Sequence, residues 1–281
     1  MIVSASRRCD IPRFQFDWFL ERLEAEFVDV ANPYNAAQIK RVSLKSEDAE
    51  FLVFWTRDPR SLLSAPPKLE ARPFYVMTTL TGYPKALEPN APPTEDIVQA
   101  MRALAEKWGS RRVIWRYDPI LLTSLTDRAF HCRNFADLTA RLAGTVERVI
   151  ISIYDEYAGA KRRLLALEKG GVCKVFPHYN EEGFFLTEVK ELLAEFSRIA
   201  KAAGMEIQSC AEKEDLLSLG IKAGACIDGE LIREIVGERS SLFDTKSRDK
   251  NQRPLCRCVP SVDIGSYGTC PAGCVYCYAR R

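Results

Sequence analysis

Short runs of Val, Ile, Phe and Trp recur along the chain and alternate with segments whose apolar positions repeat every three to four residues. The runs at 2–6, 27–31, 51–56, 74–79, 113–117, 149–153, 206–210 and 223–227 read as strands. Between Thr94 and Gly109, one helical face gathers Ile97, Val98, Met101, Leu104, Ala105 and Trp108. Thr94 suits an N-cap, and Glu95 and Asp96 suit the positive first turn. A second face, from Thr187 to Gly204, gathers Val189, Leu192, Leu193, Phe196, Ile199, Ala200 and Ala203, with Gly204 at the C-terminal stop. Eight strands alternating with helices predict parallel βα units, and eight is the number that closes a barrel. The expectation is an α/β fold, a (β/α)8 TIM-like barrel over residues 1–238, with a doubly wound open sheet as its competitor. No GxGxxG follows the first strand, which weakens the dinucleotide-binding form of the open sheet.

After Gly237 the periodicity ends. Residues 239–281 are expected to form a Cys-rich, cluster-binding tail on the C-terminal face of the barrel. Such a stretch cannot build a core alone, so metal ligation or docking must hold it. The 281 residues are 47% hydrophobic, a mixture that rules out disorder, and 40 Lys+Arg against 38 Asp+Glu give no general polyanion-binding signature. The first residues lack a secretory signal pattern, and the apolar runs are too short to span a bilayer, so a cytoplasmic, non-membrane protein is expected. In a reducing compartment clustered cysteines bind metal or do chemistry more often than they pair. Seven of the ten cysteines lie after position 209.

The end of the chain reads CxxxCxxC: Cys270, Cys274 and Cys277, with Gly273 allowing close backbone approach and Tyr276 able to shield one side. Three thiolates so spaced can hold three irons of a 4Fe–4S cluster and leave the fourth open. Cys210 and Cys226 close neighbouring strands, and Cys256-Arg-Cys258 lies in the tail. Those four could complete a second site for iron–sulfur or zinc. Cys9 follows the first strand and could close the open iron, which would make the protein an electron carrier. Cys132 and Cys173 read as buried small apolar residues. His131 and His178 are isolated, and Asp228 reads as an N-cap.

The loop, with its aromatic before the last Cys, resembles the cluster loop of radical S-adenosylmethionine (SAM) enzymes, and the trailing Tyr278 is especially similar to the spore photoproduct lyase and DNA-repair-lyase branch. Over its whole length the chain resembles the bacterial domain-of-unknown-function family eighteen forty-eight. The stretches that carry this are SASRRCDIP, FWTRDP, TLTGYPKALEPN, VIWRYDP, SCAE, GACID and DKNQRPLCRCVPSVDIGSYGTCPAGCVYCYA. Cys9 departs from that family, which more usually shows Thr there. The resemblance implies a barrel with a radical-SAM-like cluster loop and no assured substrate. Ordinary radical SAM proteins carry the loop after the first strand, so here the barrel itself is expected to supply the SAM contacts.

Barrel sites gather at the C-terminal ends of strands. There Arg7, Arg57 or Arg116 could pair with the SAM carboxylate, and Asp10, Asp118 or Glu212 could take its ribose or amino group. Trp55 and Trp115 read as core. The basic residues among 246–257 could meet phosphates, but Asp244 and Asp249 favour a solvated connection. The function expected is reductive cleavage of SAM at the cluster. Its partners would be a reductase or ferredoxin-type donor and an unknown substrate, a small molecule or a nucleic-acid lesion. A non-catalytic iron–sulfur redox protein and a structural zinc protein are the alternatives.

Overall fold

The computed structural model describes residues 1–237 and 247–280. The boundary expected at 238/239 and the basic Lys246 fall outside them. Among the described residues, ten strands form two sheets: β1 (Ile2–Ala5), β2 (Phe27–Asn32), β3 (Asn35–Ser43), β4 (Phe51–Thr56), β5 (Phe74–Thr79), β6 (Val113–Ile120), β7 (Arg148–Ile153), β8 (Glu206–Cys210), β9 (Lys222–Gly224) and β10 (Val262–Asp263). Eight of them make one parallel sheet in the order β10-β1-β4-β5-β6-β7-β8-β9.

Parallel strands covered on both faces need apolar residues at nearly every position, and β4 (FLVFWT) is buried throughout. Its alternate residues enter two cores. Leu52 and Phe54 pack under the helices with Phe19, Met101 and Phe196. Phe51, Val53 and Trp55 face the other way, toward Tyr75, Met77, Ile114 and Ile150. The helices expected from periodicity are Thr94–Trp108 and Thr187–Ala202. Thr94 begins the first as its leading helical residue rather than capping it, and Pro93 precedes it without a side-chain cap.

The mixed α/β class and the eight parallel strands stand, but among the described residues no ladder joins β9 to β10, so the sheet is a consecutive series rather than a hydrogen-bonded ring. One backbone bond, from Val259 N–H to Ile227 O at 3.0 Å, crosses that seam. The inner core there also takes in Leu231 and Ile232 of the helix Gly229–Val236. Asp228 caps that helix, accepting from Glu230 and Leu231 N–H as its position predicts. The strand run at 27–31 exists but lies outside the large sheet. It is β2, paired antiparallel with β3 in a hairpin that is mostly exposed. The eighth strand of the sheet is instead β10, supplied by the tail.

The two histidines are structural. His131 Nδ1 lies 2.9 Å from Tyr117 Oη, and His178 Nε2 accepts the Leu122 N–H at 2.9 Å. Burial holds both imidazoles down at about 4. An unfolded imidazole takes its proton near pH 6.5, so each ring stabilises the fold above that pH and loses about 3 kcal/mol as pH falls to about 4. Burial raises the carboxyls of Asp10 and Glu212 to about 6 and about 7, which works in the opposite direction. These four groups oppose one another, and a single variant exposes one component. His178→Gln keeps an acceptor for Leu122 and should gain about 3 kcal/mol relative to the parent between about pH 7.5 and about pH 4 in urea titrations. A pH-independent difference would mean that the ring is not buried neutral.

Candidate functional site

The loops that leave the C-terminal ends of the strands surround a cavity of about 1070 Å³. Cys9, Cys210, Cys226, Cys256, Cys258, Cys270, Cys274 and Cys277 all line it, and so do Arg7, Asp10, Arg57, Arg116, Asp118 and Tyr276. Of the residues expected from the sequence to bind SAM or ligate metal, Glu212 alone is not part of this lining. Its carboxylate accepts the Ile153 N–H at 2.8 Å and supports the end of β7. The hairpin forms one wall, with the nearly fully exposed Tyr34 at its tip.

The tail is fastened to the sheet through Asp263. That carboxylate accepts from Ser4 Oγ (3.0 Å), Ser6 Oγ (2.6 Å), Arg7 N (2.8 Å) and Gly265 N (3.0 Å). Beside it, a Cβ on Gly265 would collide with Ser6 Oγ and stand 2.7 Å from Cys9 Sγ, so only glycine fits this approach. Sequence reading passed over Asp263, although an acid between Val262 and Ile264 signals burial with partners.

The cysteine loop is held from two sides. On the outside, Arg163 donates to the carbonyls of Val275 (2.9 Å), Arg280 (3.1 Å) and Cys277. On the inside, the Tyr276 hydroxyl donates to Glu88, which is 1% exposed, and accepts from Arg57. Glu88 also accepts from Thr81 Oγ1 and pairs with Arg57 at 3.0 Å. Arg57 is thus committed to its own buried network, and Tyr276 faces that network. Glu88 lies in the stretch TLTGYPKALEPN and Arg163 in none of the stretches that carry the family resemblance, and neither stands at a metal-ligand spacing that would have assigned it a role. Gly273, at φ +74°, makes the turn between the first two cysteines.

Backbone N–H groups of Asp10 and Ala272 point at Cys270 Sγ and favour its thiolate, while burial pushes the thiol up and Cys274 to about 11. Asp10 itself caps the short helix Ile11–Phe14 and accepts from Arg13 N (3.2 Å) and Arg57 N (2.8 Å). Cys9 Sγ lies 3.5 Å from Gln15 Oε1 and accepts from the Ser266 backbone. Arg116 pairs with Asp118, to which Ser152 also donates. Trp55, read from the sequence as core, is 7% exposed and lies both in the inner core and along the cavity.

Among the described residues, no group of three or more His, Cys, Asp or Glu side chains is arranged to hold a metal ion as placed. No helix there is long and apolar enough to cross a membrane. No curated protein matches the chain. The family model for the domain of unknown function DUF1848 does match, over residues 2–279, and with nearly every residue included the chain belongs to that family.

Proposed function

We propose that the protein is an iron–sulfur enzyme of the radical-SAM type, with Cys270, Cys274 and Cys277 as the ligands of a 4Fe–4S cluster. One observation carries this reading: the three thiols of a CxxxCxxC loop line a cavity of about 1070 Å³ together with carboxylates and guanidinium groups. That volume exceeds what a drug-sized ligand fills, leaving space for a cofactor and a second molecule. The residues fit the group chemically. Three soft donors sit on one loop, and the backbone N–H groups of Asp10 and Ala272 favour the Cys270 thiolate, as suits a cluster ligand.

When bound, the cluster and SAM would supply one-electron reductive cleavage of a carbon–sulfur bond, with the electron coming from a reductase or ferredoxin-type donor. The chain's own part is positioning. Arg163 and the Arg57–Glu88–Tyr276 network fix the loop, so that its sulfurs keep their place as charge changes nearby. Asp10 stands beside Cys270 and is the carboxyl to accept from a ligand amine or hydroxyl. Trp55 and Tyr276 give the cavity apolar wall that excludes water. The presence of Cys9 along the same cavity favours, as a second reading, a closed cluster in a non-catalytic redox protein.

The test is anaerobic reconstitution with iron and sulfide, followed by dithionite and SAM. Consumption of SAM in step with reduced cluster is the expected result. A reduced-cluster spectrum that ignores SAM would favour the redox protein, and a colourless, zinc-loaded, fully folded protein would remove both readings.

A further inference from the structure

The remaining four cysteines converge at a place of their own. Cys210 ends β8, Cys226 follows β9, and Cys256 and Cys258 come from the tail. Cys226 Sγ lies 3.3 Å from Cys210 Sγ, and Cys256 and Cys258 belong to the same packed cluster as Cys226 and line the same cavity. The Ile227 N–H donates to Cys258 Sγ at 3.2 Å. Cys226, Cys256 and Cys258 are 3%, 6% and 2% exposed. A lone buried cysteine is ordinary core, but four from three separate segments gathered at one cavity wall are not explained by packing.

The adjoining wall gives an independent observation. The Arg7 and Arg116 guanidinium groups lie 5.5 and 4.8 Å from the centre of the Trp55 ring. Arg7 Nε, Arg116 Nε and Trp55 Nε1 are all buried without a hydrogen-bond partner. Trp55 belongs to the same packed cluster as Cys226, Cys256 and Cys258. Three orphaned N–H donors each carry a desolvation cost, which an acceptor in the neighbouring space would remove. The local charge agrees: Arg7 and Arg8 share one carboxylate, Asp263, and Arg116 pairs with Asp118.

We infer that Cys210, Cys226, Cys256 and Cys258 form a four-thiolate metal site, separate from the loop, for a thiophilic centre of overall charge 2−, with Arg7, Arg116 and Trp55 supplying N–H donors to it. A tetrahedral zinc ion and a 4Fe–4S cluster both bring about 2+ to four thiolates, so both satisfy this chemistry. Sulfurs bound at about 2.3 Å to one zinc stand about 3.8 Å apart, close to the Cys210–Cys226 contact, whereas a cluster requires them to spread toward the cavity. Either centre would tie the tail to β8 and β9 across the unladdered seam. The inference does not depend on SAM chemistry at the loop.

The experiment uses the full chain carrying Cys270→Ala, Cys274→Ala and Cys277→Ala, purified anaerobically. One zinc, or a complement of iron and sulfide matching one cluster, should remain per chain and identify which centre is native. Adding Cys258→Ala or Cys226→Ala should remove at least about nine-tenths of it. Cobalt(II) offered to the metal-free protein should show thiolate charge-transfer absorption of four-sulfur intensity. Arg116→Gln should speed release to a chelator by about tenfold, within the range for outer partners of metal ligands. If the triple variant does not fold, the difference in metal between the parent and Cys258→Ala gives the same count. A folded protein without metal at these positions, with four titratable thiols or a Cys210–Cys226 disulfide, overturns the inference.

Discussion

Cys274→Ala should leave the protein folded and take SAM consumption down by more than about a hundredfold. The outer partners of metal ligands alone are worth 10–100-fold, so losing a ligand exceeds that range. The fold should survive because Cys274 is one small buried side chain at the end of the molecule, whereas the loop is held by Arg163, Glu88 and Tyr276, none of which the change touches. Far-ultraviolet circular dichroism and iron content separate the two effects. Parental SAM consumption in an iron-depleted variant would end the proposed function. A variant that keeps full cluster colour but loses cleavage would move the ligand assignment to Cys9, which lines the same cavity.

The second large effect is on stability. Asp263→Ala removes the acceptor of four hydrogen bonds and leaves the donors of Ser4, Ser6, Arg7 and Gly265 facing one another in a partly buried place. Hydrogen bonds to charged groups contribute about 1.5–3 kcal/mol each, and single-residue losses seldom exceed about 5 kcal/mol, so a loss of about 3–5 kcal/mol is expected. Because β10 pairs with β1 alone among the described residues, the tail should detach before the rest of the sheet unfolds. Hydrogen exchange should show protection lost first at residues 256–280. Asp263→Asn keeps one acceptor and should cost less than half as much. Equal costs for both variants would mean that the carboxylate is not the anchor.

How much could be read beforehand depends on what each element uses to hold its place. Strands β4 and β5 have the predicted bounds because parallel strands buried on both faces leave nearly continuous apolar runs, whereas β8 (EIQSC) has its predicted bounds without such a run. The run at 27–31 was visible as a strand, but its partner β3 buries only Val42 and so leaves no alternation to detect. Nothing in a strand's own pattern says which sheet it joins. Strand β10 is two residues long, too short for any period, and is fixed by Asp263 rather than by apolar burial. At the site, the loop spacing was legible because it is local. The meeting of Cys210 with Cys226 followed from strand adjacency, which topology supplied. Glu88 and Arg163 act from distant segments, and no spacing encodes them.

The pairing of β1 with β10 also has a consequence in time. Ser4 and the Asp263 that receives its hydroxyl are separated by 259 positions in the chain. At about 5–20 residues added per second during synthesis, β1 emerges roughly 10–50 s before its neighbour exists. Through that interval one edge of the first strand offers unpaired amides to any other extended segment, including that of a nascent copy on the same message. Chaperone shelter early in translation, rather than tight packing at the end, would then set the yield of native protein.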